Sequence, residues 1–209
     1  MLIRSFLLCW ALTVLPVGGA VAAPVALVWG DSLSAAYGIA LEDGWVALLQ
    51  QRLEAEGYPH RVVNGSVSGE TTAGGLARLP AALARNRPAL LLIELGANDG
   101  LRGLSLKTMR DNLEQMVRLA QDSGARVAVF EMMIPTNYGL RYAEAFRETF
   151  GEVAGEAGAV HVPFLLTPIA LEMKWFPPDG IHPTAEAQPL ILDAVWPALE
   201  PLFAATAGE

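Results

Sequence analysis

Five short apolar runs, each followed by a segment with helical periodicity, constrain this chain more than any other feature of its sequence. The runs are PVALVWG (24–30), RVVNGS (61–66), ALLLIELG (89–96), RVAVFEMMI (126–134) and AVHVPF (159–164). Runs of this length without regular polar alternation suit strands buried on both faces. Helical patterns lie between them, around 44–56, 74–85, 105–123 and 138–157, and a last one follows at 184–203. Such repetition predicts an α/β fold, a parallel sheet of about five strands with helices on both faces. No internal repeat, low-complexity tract or linker breaks the pattern, so residues 24–209 are expected to form one domain. In a sheet of this kind ligands bind beyond the carboxyl ends of the strands, which locates any chemistry there.

The segments at those ends are GDSLS (30–34), NGSVSGETT (64–72), GANDGLRG (96–103) and IPTNYG (134–139), each polar and glycine-rich directly after an apolar run. Strand-to-helix turns use Gly, Asn, Asp and Ser for positive φ and for capping, so any one of them has an ordinary explanation. A fifth segment shifts the balance. WFPPDGIHP (175–183) places Asp179 and His182 three residues apart in a Pro/Gly-rich loop. A serine hydroxyl becomes nucleophilic when a base takes its proton, and imidazole can do so near neutral pH. Ser32 is therefore a candidate nucleophile, His182 its base and Asp179 the group that holds the ring. The other two histidines fit this role poorly: His161 falls inside an expected strand, and His60 in a turn at the far side of the sheet. No HExxH or CxxC spacing points to a zinc site, and no cofactor is expected.

The first residues, MLIRSFLLCWALTVLPVGGAVAA, combine one cation (Arg4), an apolar core from Phe6 to about Val17 and small residues at Ala20, Ala22 and Ala23. This is the layout of a secretory signal peptide over residues 1–23, with cleavage expected after Ala22 or Ala23 and the mature protein expected to be periplasmic or secreted. The core is shorter than the ~20 residues of a spanning helix and is broken by Pro16, Gly18 and Gly19, so no stable membrane insertion is expected after cleavage. The single cysteine, Cys9, lies in this segment. A formal charge of -8 opposes an electrostatic grip on nucleic acid. The expected partner is a small-molecule substrate, and the chain is expected to act as a monomer.

Taken in order, GDSLS, Gly69 in NGSVSGETT, Asn98 in GANDG, and DGIHP resemble the four blocks of the SGNH (GDSL) hydrolases, spanning residues 30–183. The phrases GLARLP, NDGLRG and NYG bring the chain nearest to the bacterial exported arylesterase, acyl-CoA thioesterase I and lysophospholipase L1 subgroup. The resemblance implies a flavodoxin-like three-layer α/β/α fold. It also implies Ser32 as nucleophile, His182 as general base, Asp179 as its partner, and an oxyanion hole from the Ser32 N–H, the Gly69 N–H and the Asn98 side chain. Two departures stand out: Glu70 where Asp is common, and Ala97 where a second glycine usually precedes the Asn.

Gly30 permits a sharp exit from the first strand, and Ser32 is expected at a helix start that presents its N–H. Asp31 is expected to cap or brace that turn. Leu101, Arg102, Met133, Ile134, Pro135 and Tyr138 are candidates for an apolar acyl groove, whereas Met132 reads as core packing. Glu94 and Glu131, in otherwise apolar runs, need buried partners and read as structural hydrogen-bonding groups. The implied activity is hydrolysis of carboxylic esters and thioesters through an acyl-Ser32 intermediate. A carbohydrate O-acetyl esterase or acyltransferase and a non-catalytic binding module are the alternatives.

Overall fold

The computed structural model describes residues 23–177 and 179–208. The signal peptide expected over 1–23 thus lies, except for Ala23, outside the described residues. Five strands, β1 (Val25–Gly30), β2 (Arg61–Asn64), β3 (Leu90–Glu94), β4 (Arg126–Phe130) and β5 (Val160–Val162), form one sheet in the order β2-β1-β3-β4-β5. Every neighbouring pair is parallel. The apolar runs explain the middle of the sheet. All residues of β1 and β3 and four of the five in β4 are buried, while β2 and β5, at the edges, are only partly covered.

Among the described residues, six α-helices accompany the sheet: α1 (Trp45–Ala55), α2 (Thr72–Asn86), α3 (Ala97–Leu101), α4 (Leu106–Asp122), α5 (Leu140–Ala157) and α6 (Gln188–Thr206). Right-handed crossovers sort them. The step from β1 to β2 runs one way along the sheet, and α1 packs with α6 on one face. The steps from β2 to β3, β4 and β5 run the other way, and α2, α4 and α5 pack in succession on the opposite face. Caps fix two of the starts: Thr71 Oγ1 accepts from Gly74 N–H at 3.3 Å and Ser105 Oγ from Thr108 N–H at 3.3 Å. No helix among the described residues is long and apolar enough to cross a membrane.

Every strand is shorter than its apolar run, β4 by the most. The run 126–134 pairs only to Phe130, after which Glu131 N–H gives one last bond to Val162 O at 2.8 Å. β5 ends at Val162, and Pro163 follows it, so the rest of the run has no partner. Met132 and Ile134 stay buried as irregular chain.

The sheet reverses its winding between β1 and β3, and the crevice at their carboxyl ends is where such folds bind ligands. Register there is tight: Gly30 pairs with Glu94. A Cβ on Gly30 would come within 2.4 Å of Glu94 Oε2 and 2.7 Å of Ser34 Oγ. Gly30→Ala should therefore lower stability by about 1–3 kcal/mol through forced repacking. Thermal melting of the purified variant checks this; an unchanged Tm would mean that the carboxyl at 94 moves freely.

Candidate active site

The turn after β1 carries Ser32. Its backbone is held from several sides: Gly30 N–H donates to Ser66 Oγ (3.1 Å), Asp31 N–H to Glu94 Oε2 (3.2 Å), Leu33 N–H to Asp31 Oδ1 (3.1 Å), and Asn64 Nδ2 to Ser34 O (2.7 Å). The helix expected to begin here is replaced by consecutive turns. Ala35 N–H reaches Asp31 O and Tyr37 N–H reaches Ser32 O, but Ala36 adopts φ 56°, in the left-handed region, which stops a helix from propagating. Asp31 does brace the turn, its side chain accepting from the amide two residues on.

His182 Nε2 lies 2.9 Å from Ser32 Oγ, and its Nδ1 lies 2.9 Å from Asp179 Oδ2. Asp179 Oδ1 accepts from the N–H groups of Ile181 (2.9 Å) and His182 (3.2 Å). The Ile181 N–H, followed by the His182 ring, holds the Asp179 carboxyl down to about 2, so it stays ionised beside the imidazole at any working pH. The Tyr37 ring packs against the imidazole with centroids 4.5 Å apart. Residues 150 positions apart in sequence thus meet because β1 and the loop before α6 share one end of the sheet.

Two further segments converge. Gly69 follows β2 with φ +78°, a conformation that favours glycine, and its carbonyl accepts from Arg102 Nη2 at 2.9 Å. Asn98 sits in α3, a short helix that the sequence pattern did not reveal, and its Nδ2 donates to Asp31 Oδ2 at 3.0 Å. Among the described residues, the N–H groups of Ser32 and Gly69 make no hydrogen bond. Asp99 anchors α3 from beneath, its carboxylate accepting from Thr72 N–H (2.8 Å) and Thr72 Oγ1 (2.6 Å). Gly96, at φ +124°, makes the turn that starts α3, and Phe150 would block any Cβ there.

A groove of about 460 Å³ opens beside Ser32 and His182. Of the residues expected to line it, Leu101, Met133, Ile134 and Pro135 do so. Arg102 and Tyr138 lie outside its lining; Arg102 bonds to Gly69 O, and Tyr138 Oη donates to Leu101 O at 3.0 Å. Met132, read as core, is fully buried yet contributes to the floor. The opposite wall, with Phe164, Leu166, Met173 and Phe176, was missed, because the segment after β5 has no strand or helix periodicity. The available signal was its density of large apolar residues in an irregular stretch.

Glu94, at the end of β3, is wholly buried; its Oε2 accepts from Ser34 Oγ at 2.6 Å, and its Oε1 has no partner. Burial, and then the nearby Asp31 charge, push its carboxyl well above the usual range. Burial also raises Asp31, to about 6. Glu131 accepts from Arg147 Nε at 2.8 Å and lies 3.5 Å from His161, away from Ser32. His60 is buried near the opposite end of the sheet and bonds to Thr206 Oγ1 at 2.8 Å. No cluster of three or more His, Cys, Asp or Glu suited to a metal occurs among the described residues.

A doubly wound sheet that presents a Ser-His-Asp relay from the first turn and the last loop is the architecture of an SGNH-type hydrolase. The chain belongs to the GDSL-like lipase/acylhydrolase family, whose profile matches residues 28–189. It is 48% identical to the esterase TesA of Pseudomonas aeruginosa over 200 residues, covering 96% of this chain and all of that one. To the thioesterase 1/protease 1/lysophospholipase L1 of Escherichia coli K12 it is 39% identical over 183 residues, 88% of this chain and 86% of the other. Among solved structures it resembles a crystal structure of TesA (TM-score 0.83, 51% identity, 85% of this chain and 99% of that one). It also resembles the psychrotrophic esterase EstA from Pseudoalteromonas, solved with monoethylphosphonate as inhibitor (TM-score 0.83, 41% identity, 86% and 98%).

The upward shift of the Glu94 carboxyl has a thermodynamic signature. An acid whose pKa is raised on folding adds stability in full below its unfolded value and loses it as pH rises toward the folded value. Wild-type stability should fall by up to about 1.4 kcal/mol per pH unit from this one proton above roughly pH 4.5. Glu94→Gln keeps an acceptor for Ser34 and Asp31 but has no proton to lose. Its Tm should start lower at pH 5, because an amide N–H₂ replaces the unpartnered oxygen, and should decline less between pH 5 and 9. Parallel Tm–pH curves would show that Glu94 is ionised in the folded protein.

Proposed function

We propose that this chain is an exported serine hydrolase that cleaves carboxylic esters and thioesters through an acyl-Ser32 intermediate. The observation that carries the reading is the unbroken relay Ser32 Oγ–His182 Nε2 and His182 Nδ1–Asp179, each contact 2.9 Å, opening onto an apolar groove. In this mechanism His182 Nε2 takes the proton as Ser32 Oγ attacks the acyl carbon. The charge that develops on the carbonyl oxygen is met by the N–H groups of Ser32 and Gly69 and by Asn98 Nδ2. Collapse breaks the bond to the alkoxide or thiolate, which leaves with the proton from His182. Water, deprotonated by the same nitrogen, then hydrolyses the acyl-enzyme and restores Ser32. Asp179 keeps the ring oriented and stabilises its charged form.

The relatives' names include esterase, arylesterase, thioesterase and lysophospholipase, and these acyl substrates share what the groove offers: apolar walls next to a polar reaction centre. That lining favours an acyl chain over a sugar ring. The residues from 24 onward act as one domain, released by cleavage after Ala22 or Ala23, so the amino terminus of exported protein should read from Ala23 or Pro24. N-terminal sequencing of the periplasmic fraction tests this, and an intact Met1 there overturns it.

Ser32→Ala should abolish nearly all p-nitrophenyl ester hydrolysis while leaving Tm within a few degrees, and a fluorophosphonate should label the wild type at Ser32. Labelling at Ser34, Ser66 or Ser68 would refute the nucleophile. Asn98→Ala should lower kcat roughly 10²- to 10³-fold with little change in KM. Along a series of p-nitrophenyl esters, kcat/KM should rise by up to about fourfold per added methylene until the groove is filled. A preference for acetate would place the acyl chain elsewhere.

A further inference from the structure

The amide of Asn98 has two ends of nearly equal shape, and rotation by half a turn exchanges Nδ2 for Oδ1. Only the nitrogen end can stabilise an oxyanion; the oxygen end would oppose it. Something beside Asn98 must therefore choose between them. The geometry points to Asp31 as a positioning residue that fixes the nitrogen end of the Asn98 amide toward the oxyanion site. This deepens the proposed function and rests on Asn98 being an oxyanion donor.

Asp31 Oδ2 accepts from Asn98 Nδ2 at 3.0 Å. An ionised carboxylate can only accept, so the flipped amide would set oxygen against oxygen. One N–H of the amide is used by Asp31, and the other, on the same nitrogen, remains for the substrate. The carboxylate is itself unable to follow a flip. It is 1% exposed, its Oδ1 is occupied by Leu33 N–H, and its own N–H is tied to Glu94 Oε2. The residue before the nucleophile thus serves the donor that lies 67 positions later in the sequence. Asp31 also feels the charge of His182, which gives a rival account: a negative group that steadies the imidazolium and does nothing for Asn98.

Asp31→Asn separates the two. Its oxygen can still serve Leu33 N–H, but its N–H₂ then faces Asn98 and favours the flipped amide, whereas the charge near His182 is removed in any background. For p-nitrophenyl butyrate, Asp31→Asn should lower kcat about 10- to 100-fold with KM within about threefold of wild type. In the Asn98→Ala background the same change should cost less than about threefold, because no amide is left to orient. An equal loss in both backgrounds, or a single variant with wild-type kcat, overturns the role. If Asn98→Ala itself keeps full kcat, the oxyanion reading fails instead.

A second measurement needs no change at Asp31, and serves if Asp31→Asn does not fold. The titratable groups facing Asp31 are Glu94 from β3, Asp99 from α3 and His182 from the last loop. Protonation of His182 suppresses wild type and Asn98→Ala alike and cancels in the ratio of their kcat values. Protonation of Asp31 does not cancel, since a carboxylic acid can donate to the flipped amide. The ratio of wild-type to Asn98→Ala kcat should therefore shrink at least threefold between pH 8 and pH 5. A ratio constant over that range overturns the inference.

Discussion

The hydrogen bonds that Glu94 receives from Ser34 Oγ and Asp31 N–H join the end of β3 to the turn after β1, and the rest of the site depends on that junction. Parallel strands bring residues into register but cannot by themselves dictate the path of the chain beyond them. Here the register Gly30–Glu94 places a carboxyl where the turn must begin. The turn wraps around it, with two donors pointed inward and Ser32 left facing the crevice. An ionised carboxylate in that position is costly to bury, and burial together with the Asp31 charge pushes the Glu94 carboxyl well above its usual range, while two donors, Asp31 N–H and Ser34 Oγ, meet its Oε2. Of the two acids, Asp31 has the donors that suit an anion, Leu33 N–H and Asn98 Nδ2, and Glu94 has the driest surroundings.

This junction also explains why the two carboxylates near Ser32 differ from the one that serves His182. Asp179 is on the surface, in a loop, and draws its low pKa from two backbone N–H groups and the imidazole rather than from a buried partner. It can therefore stay charged without a desolvation cost of the kind that Asp31 bears. A buried pair sets the backbone geometry of the turn, and an exposed carboxylate meets the His182 ring.

Much of this was legible in the sequence, for identifiable reasons. The buried strands β1, β3 and β4 show as apolar runs because both faces are covered, and the polar ends of those runs mark the crevice. The Asp179–His182 spacing shows because an i, i+3 pair in a Gly/Pro loop can close on itself. What did not show was set by tertiary partners. The run 126–134 loses its last four residues as strand because β5 offers no partner beyond Val162, and no local pattern in 126–134 records the length of a neighbour. The chain after Ser32 forms turns instead of a helix because Ala36 takes a positive φ, which its side chain does not favour. Arg102 and Tyr138 look like groove residues by position in their loops, yet their polar ends reach backbone carbonyls and point the contact away from the groove.

The far wall of the groove has a further consequence for how the site is held together. Phe164, Leu166, Met173 and Phe176 come from the long connection between β5 and α6, the same segment that ends in Asp179 and His182. This connection has few regular backbone bonds; it closes through local ones such as Trp175 N–H to Glu172 O and through Thr184 N–H to Trp175 O at 2.8 Å. Phe164, Leu166 and Phe176 pack against the core and leave their other sides to the groove, whereas Met173 is exposed. The far wall of the groove and His182 therefore come from a single stretch of chain, whereas Ser32 and Asn98 are placed by the segments after β1 and β3. Side chains of that wall and the His182 ring share one backbone path, so repacking the wall bears directly on the distance between His182 and Ser32.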